Sequence, residues 1–265
     1  MSGQIALGKR KMDWHDDFIG EKLMKHRIIE GRLEYTSRKP EMEGQNRGFE
    51  TFMFTRHGDG KVTMRAHCEI YEPEPTVMRD IIYAIDENNQ PMDLHVRLTV
   101  GDAFMGSGWM RFDGEHIEME SYGPGIGRLS QKVEAELPLT GFGTHPIVSD
   151  GYMLSMQDWE ETDKRLLNCY LPSPDHRGAT PPQIAQVKIG AMYLGKEEVT
   201  VPAGTFQCKH LQFIDDASIV PGTGGMAGEH PPYDVWITDD EDGIFVQGGV
   251  GGYMMTWYEL VELKR

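Results

Sequence analysis

Between residues 49 and 122 the side chains change character at almost every step, and this short period is the feature that most narrows the choice of fold. In residues 62–71, Val62, Met64, Ala66, Cys68 and Ile70 fall on one side, and Thr63, Arg65, His67, Glu69 and Tyr71 on the other. Alternation of this kind belongs to a strand, whose successive side chains point to opposite faces. Polar and glycine-rich breaks punctuate it at His57-Gly58-Asp59-Gly60, Glu72-Pro73-Glu74-Pro75, residues 86–91, Gly101-Asp102 and Asp113-Gly114. Asp-Gly is a strong hairpin signal. The pattern predicts strands over 49–56, 62–71, 77–85, 92–100, 103–112 and 116–122. Loops this short make antiparallel pairing of sequential strands the economical arrangement.

Flanking regions are less uniform. Trp14, Phe18, Ile19, Leu23, Ile28 and Ile29 approximate a helical stripe, with Asp13, Asp16 and Asp17 near its start and Gly31 at its expected end. Residues 123–186 are rich in Gly and Pro and read as an irregular insertion, with a short helix or turn near 152–159 and a strand or buried helical piece at 166–171. Such segments often serve as lids or binding loops. Strands resume at 187–199, 206–214, 233–238, 244–247 and 253–263. The expectation is therefore an N-terminal helical segment (1–30) followed by one antiparallel β domain (31–265). Its class is mainly β: a meander curved into an open or closed barrel with a few helices and one pocket.

Charge excludes some partners. Asp and Glu number 42 against 26 Lys and Arg, for a formal charge of −16, and such a surface repels nucleic-acid backbones. Gly8-Lys9-Arg10-Lys11 is the one compact basic run and reads as a solvated tail. No run approaches the roughly 20 apolar residues of a membrane helix, and residues 1–8 lack the apolar core of a secretory leader. Cys68, Cys169 and Cys208 are widely spaced and read as buried thiols. Together these features lead to an expected cytoplasmic location.

Chemistry must come from the alternating rows. His67, Arg65, His95, Arg97, Trp109 and Arg111 share the polar sides of their strands. Two arrangements remain open: the row faces water, or it lines a cavity. In the second, His67, His95, Arg97, Arg111 and Tyr83 supply acid–base and oxyanion-stabilising groups, while Trp109, Arg65 and Trp236 contact a ligand. No metal site is expected, since neither HExxH nor a Cys/His cluster occurs; Asp175-His176 and Thr144-His145-Pro146 could meet other ligands only through folding. The run Gly222–Gly228 resembles a phosphate loop, but Glu229-His230-Pro231-Pro232 follows where a helix would have to begin. No cofactor is expected. Seventeen methionines suit an adaptable apolar interior.

Val201-Pro202-Ala203-Gly204-Thr205-Phe206-Gln207-Cys208, followed by Asp234-Val235-Trp236-Ile237-Thr238-Asp239, resembles a signature of bacterial LolA-like, single-sided β-barrels. The resemblance covers residues 201–239. It implies strands wrapped partway around a helix, forming an open apolar concavity. Three functions follow as expectations. The first is a cofactor-independent lyase acting on a small aromatic or apolar compound, for which bacterial γ-formaldehyde lyases offer an analogy. The second is a non-catalytic intracellular carrier or sensor of a hydrophobic ligand. The third is a subunit whose sheet edges pair in a homodimer.

Overall fold

The computed structural model describes residues 26–160, 164–175, 177–214, 231–252 and 254–265. Its first wing contains β1 (Arg27–Ser37), β2 (Asn46–Arg56), β3 (Val62–Ile70), β4 (Val77–Ile85), β5 (Pro91–Val100), β6 (Ala103–Phe112), β7 (His116–Gly123) and β8 (Gly127–Glu134). The second contains β9 (Gly141–Phe142), β10 (Lys164–Leu171), β11 (Ala185–Val201), β12 (Gly204–Ile214), β13 (Tyr233–Thr238), β14 (Phe245–Val250) and β15 (Thr256–Lys264). Among the described residues there is one α-helix, α1 (Ile147–Ser155), between β9 and β10 in sequence.

All fifteen strands join one sheet, in the order β8-β7-β6-β5-β4-β3-β2-β1-β15-β14-β13-β12-β11-β10-β9. Each wing is a meander, and the first strand pairs with the last, from Glu30 opposite Lys264 to Ser37 opposite Thr256. Neighbours are antiparallel except for the short β9–β10 pair. The sheet does not close strand to strand. Its two ends are bridged by loops instead: Ser121 on β7 donates to the Pro182 carbonyl at 2.8 Å, the Ile184 N–H donates to the Gln131 side chain at 2.9 Å, and the Glu136 N–H donates to the Tyr170 hydroxyl at 3.1 Å. The curved sheet encloses one apolar core that includes Phe54, Met64, Leu94, Phe142, Leu211 and Phe245.

The turns follow their sequence chemistry. Gly101 and Asp102 both take positive φ, +55° and +67°, the combination a right-twisted two-residue hairpin requires. Pro202 and Ala203 join β11 to β12, with Gly204 at φ +141°. Gly248 and Gly249, expected in a turn, instead belong to β14. There the Trp257 ring lies over Gly249 and leaves no room for a side chain.

Two boundaries differ from the sequence reading. Ile28, Ile29 and Gly31 lie within β1, not in a helix or at its end; the rest of the proposed helical stripe, and the Gly222–Gly228 loop, fall outside the described residues. Within 123–186 the structure forms β8, β9, α1 and β10: the helix begins earlier than read, the segment left open between strand and helix at 166–171 is a strand, and β8 and β9 are concealed by the irregular composition. Most of β8 is exposed, so its alternation lacks the apolar side that marks a half-buried strand.

Candidate functional site

The polar rows of the first wing face outward. His95 has 54% of its side chain exposed and His67 35%, while Arg65, Arg97 and Arg111 are exposed. Their neighbours on the same strands, Met64, Ala66, Leu94 and Val96, are buried in the core. Of the two arrangements left open, the row takes the first and faces outward, because the apolar set on the opposite side of each strand covers the core. Tyr83 separates from the others altogether. It is buried on the core side, where its hydroxyl accepts the Phe142 N–H at 3.1 Å, and desolvation pushes its ionisation upward.

On the outer face these residues are occupied with one another. His67 contacts Asp80 at 2.8 Å and Glu69 at 3.3 Å; those bonds outweigh its partial burial and raise its pKa. Arg111 donates to Glu118 at 2.6 Å, and Arg97 lies 4.5 Å from the Phe104 ring. His95, Arg97, Trp109, Asp80 and Glu120 line an open surface groove of about 550 Å³. Trp236 is elsewhere, on β13, stacked on His210 at 4.0 Å and donating to Glu197 at 2.6 Å.

Inside the sheet, a different set converges on α1. Pro146 at its N-cap offers no side-chain acceptor, although the first N–H groups of a helix need one. Glu50, from β2, supplies it across the core. Its carboxylate accepts the Ile147 and Val148 N–H groups at 2.7 and 2.8 Å and the Tyr35 hydroxyl at 2.6 Å. Arg79, only 1% exposed, stands on the same side of the sheet. It donates to the Arg177 and Gly178 carbonyls at 2.9 and 2.8 Å and to the Cys68 sulfur at 3.3 Å.

Both residues carried a signal that the sequence reading passed over. Glu50 is in phase with Phe52 and Phe54, and Arg79 with Val77, Ile81 and Ile85. A charged residue in the apolar phase of a strand must be buried or break the pattern. Asp150 was missed because the helix that carries it was placed several residues too late.

Two adjoining cavities lie beside α1. One, the chamber, about 140 Å³, is lined by Asp150, Met153, Cys169, Phe213, Tyr233 and Tyr258, among others. A vestibule of about 220 Å³ is lined by Tyr35, Lys39, Arg47, Glu72 and Arg177. His145, Ile147, Met254 and Tyr258 belong to both walls. In the vestibule, Glu72 bridges Lys39 and Arg47, with its carboxylate 2.6 Å from Arg47 Nε. Desolvation, reinforced by the charge of Glu50, pushes the Asp150 pKa well up. Burial likewise raises Cys169 to about 12, so this thiol is no nucleophile at neutral pH. Among the described residues, no group of three or more His, Cys, Asp or Glu side chains could hold a metal ion.

No family model matches the chain, and no curated protein matches it by sequence. Solved structures do. A β-barrel-like protein of a domain of unknown function, DUF1849, from Brucella abortus aligns over 92% of this chain and 98% of its own, with a TM-score of 0.56 at 12% identity. The fold is β-barrel-like. A presumed exported protein with a YmcC-like fold from Bacteroides fragilis aligns over 89% of this chain and 95% of its own at 8% identity, and a presumed lipoprotein from Parabacteroides distasonis over 89% and 94% at 9%, each with a TM-score of 0.30. The expected cytoplasmic placement is withdrawn: two of the similar structures are described as an exported protein and a lipoprotein, and those descriptions are of those proteins.

Glu50 also gives the fold a pH dependence. Desolvation raises its pKa from 4.5 to about 7, against the pull of the Tyr35 and helix N–H hydrogen bonds and of Arg79. Between those values the folded chain holds a proton that the unfolded chain has lost. Stability from this group is fully present below pH 4.5, falls as pH rises, and is gone above about 7. The loss is on the order of 3 kcal/mol, and Asp150 adds to it in the same direction. Urea titrations from pH 4.5 to 8 are expected to show this decline, and Glu50→Gln to flatten it. An unchanged slope in that variant would reassign the effect.

Proposed function

We propose that this protein binds a small, mostly apolar molecule in the chamber beside α1, with the polar end of the ligand in the vestibule. The observation that carries this reading is the pair of adjoining cavities, which share four wall residues. Together they reach the lower range of known ligand sites, about 300 Å³. Their composition suits the role: aromatic and sulfur-bearing walls in the one cavity, charged groups in the other. The likeness of residues 201–239 to LolA-like single-sided barrels supports it, since a concavity around a helix is the binding surface that likeness implies.

Carriage or sensing is favoured over the lyase reading. The histidines and arginines assigned to catalysis lie on the outer face of the first wing, and none of them lines either cavity. A panel of aromatic and aliphatic compounds, screened by calorimetry and by product analysis, separates the two. Stoichiometric binding without product is expected. Ile189→Phe, which fills the chamber from its wall, should weaken binding at least tenfold, while His67→Ala and His95→Ala leave it unchanged. Turnover that disappears in either histidine variant would restore the lyase.

A further inference from the structure

The vestibule gathers more positive charge than its acids answer. Lys39, Arg47 and Arg177 line it together with one carboxylate, Glu72. Lys39 donates to Glu72 at 2.5 Å, and Arg47 Nε lies 2.6 Å from the same carboxylate. Arg47 is fixed further by the Glu72 and Met254 carbonyls and the Thr256 hydroxyl. Arg177 donates to the Pro73 and Pro75 carbonyls. Its Nε is buried and has no hydrogen-bond partner among the described residues. Asp175 acts on Arg177 from outside the lining, but its oxygens are taken up by Ser173, Ala179 and Thr180 of its own loop. Counting Asp175 beside Glu72 still leaves the three cations one charge in excess. Behind them, Arg79 and Glu50 offset each other.

Ionisation reflects this excess. The Lys39 hydrogen bond holds the Glu72 carboxyl below its ordinary pKa, and the charges of Arg47 and Arg177 reinforce it. Arg177 is pushed below the usual guanidinium range, first by burial and then by Arg47 and Arg79, against the pull of Asp175 and Glu72. Cations held together in a partly desolvated space repel one another, and an anion among them relieves that cost. His145, shared by both cavity walls, brings either no charge or a positive one.

We propose that the vestibule binds the carboxylate of a small organic acid, with Arg177 and Lys39 as its partners, while the hydrocarbon part of the acid occupies the chamber. This assignment rests on the binding role proposed above and names the chemical class of the ligand. A monoanion fits because the excess is a single charge. A planar carboxylate also matches the fork of a guanidinium group. Asp150, the one acid in the chamber lining, disfavours the reverse orientation. The formal charge of −16 on the whole chain opposes any anion at long range, but at physiological salt such fields are screened beyond about 8 Å. The contact pairs therefore decide.

Calorimetry at pH 7 with octanoate, 1-octanol and octylammonium, which share one hydrocarbon chain, tests this. Octanoate is expected to bind at least about tenfold more tightly than the alcohol, the scale of one charge-assisted hydrogen bond, and octylammonium to bind more weakly than either. Arg177→Gln should remove most of the octanoate preference while changing alcohol affinity less than about twofold. Lys39→Met, at a more exposed position, should reduce the preference severalfold and serves where Arg177→Gln does not fold. Equal or tighter binding of the alcohol or the amine overturns the assignment, and so does a preference that survives in the folded variants. Alcohol binding without an octanoate preference removes the carboxylate but leaves the chamber standing. Silence of all three probes overturns the assignment, and silence across the whole ligand panel removes the chamber as well.

Discussion

Glu50→Ala is expected to destabilise the fold by roughly 3–5 kcal/mol, the cost of breaking a buried charge-bearing network. The carboxylate holds three groups at once: the Tyr35 hydroxyl and the N–H groups of Ile147 and Val148. Alanine leaves all three buried without an acceptor, and each orphan costs about 1–3 kcal/mol. It also removes a carboxylate that Arg79 stabilises and opens a void in a fully buried position. Pro146 cannot take over as the cap. Urea unfolding at pH 7, compared with Glu50→Gln, measures the effect. The amide should cost less, since it keeps one acceptor and the volume. A loss below about 1 kcal/mol for alanine, the scale of an ordinary surface change, would mean that α1 is not anchored through this residue.

Gly48→Ala should be similarly harmful, at about 3 kcal/mol or more, for a wholly geometric reason. Gly48 sits where the β1–β2 register shifts, at φ +142°. A Cβ there would land on the Glu69 carbonyl oxygen, which is backbone and cannot swing aside. Strand β3 would have to move, carrying with it the pairing that places Glu50 opposite Cys68. Gly44, also at positive φ but in open space, is the control. Its alanine variant pays only for the dihedral. Thermal unfolding of the two variants should separate them clearly, and equal losses would show that the close approach to β3 is unimportant.

Much of this architecture is legible in the residues. Strands β4, β6 and β13 coincide with the alternating runs 77–85, 103–112 and 233–238, because each is bounded by turn residues that admit few alternatives. In residues 62–70 and 94–98 the period also divided the strand correctly into two faces, while Met92, read with the apolar set, is exposed. It could not say whether a polar face meets water or a cavity, since a cavity is made by strands distant in sequence. His95 and Trp109 thus looked like a site and lie on the outside. The real interior polar groups were visible only as exceptions to the pattern, an acid between Gly48 and Phe52 and an arginine between Val77 and Ile81. Helix α1 was harder still. Its nine residues include Gly151, which approaches Phe245 closely, so its pattern is set by packing against β14 and not by an apolar stripe.

The account depends on a ligand lodging beside α1 and not on the outer groove. Methionine-methyl and tryptophan-indole NMR during titration with a compound selected from the panel tests this most directly, because Met153 and Met254 line the chamber while Trp109 lines the outer groove. Saturable shifts at Met153 and Met254, with the Trp109 indole unmoved, are the predicted result. Shifts at Trp109 with Met153 and Met254 silent would contradict it.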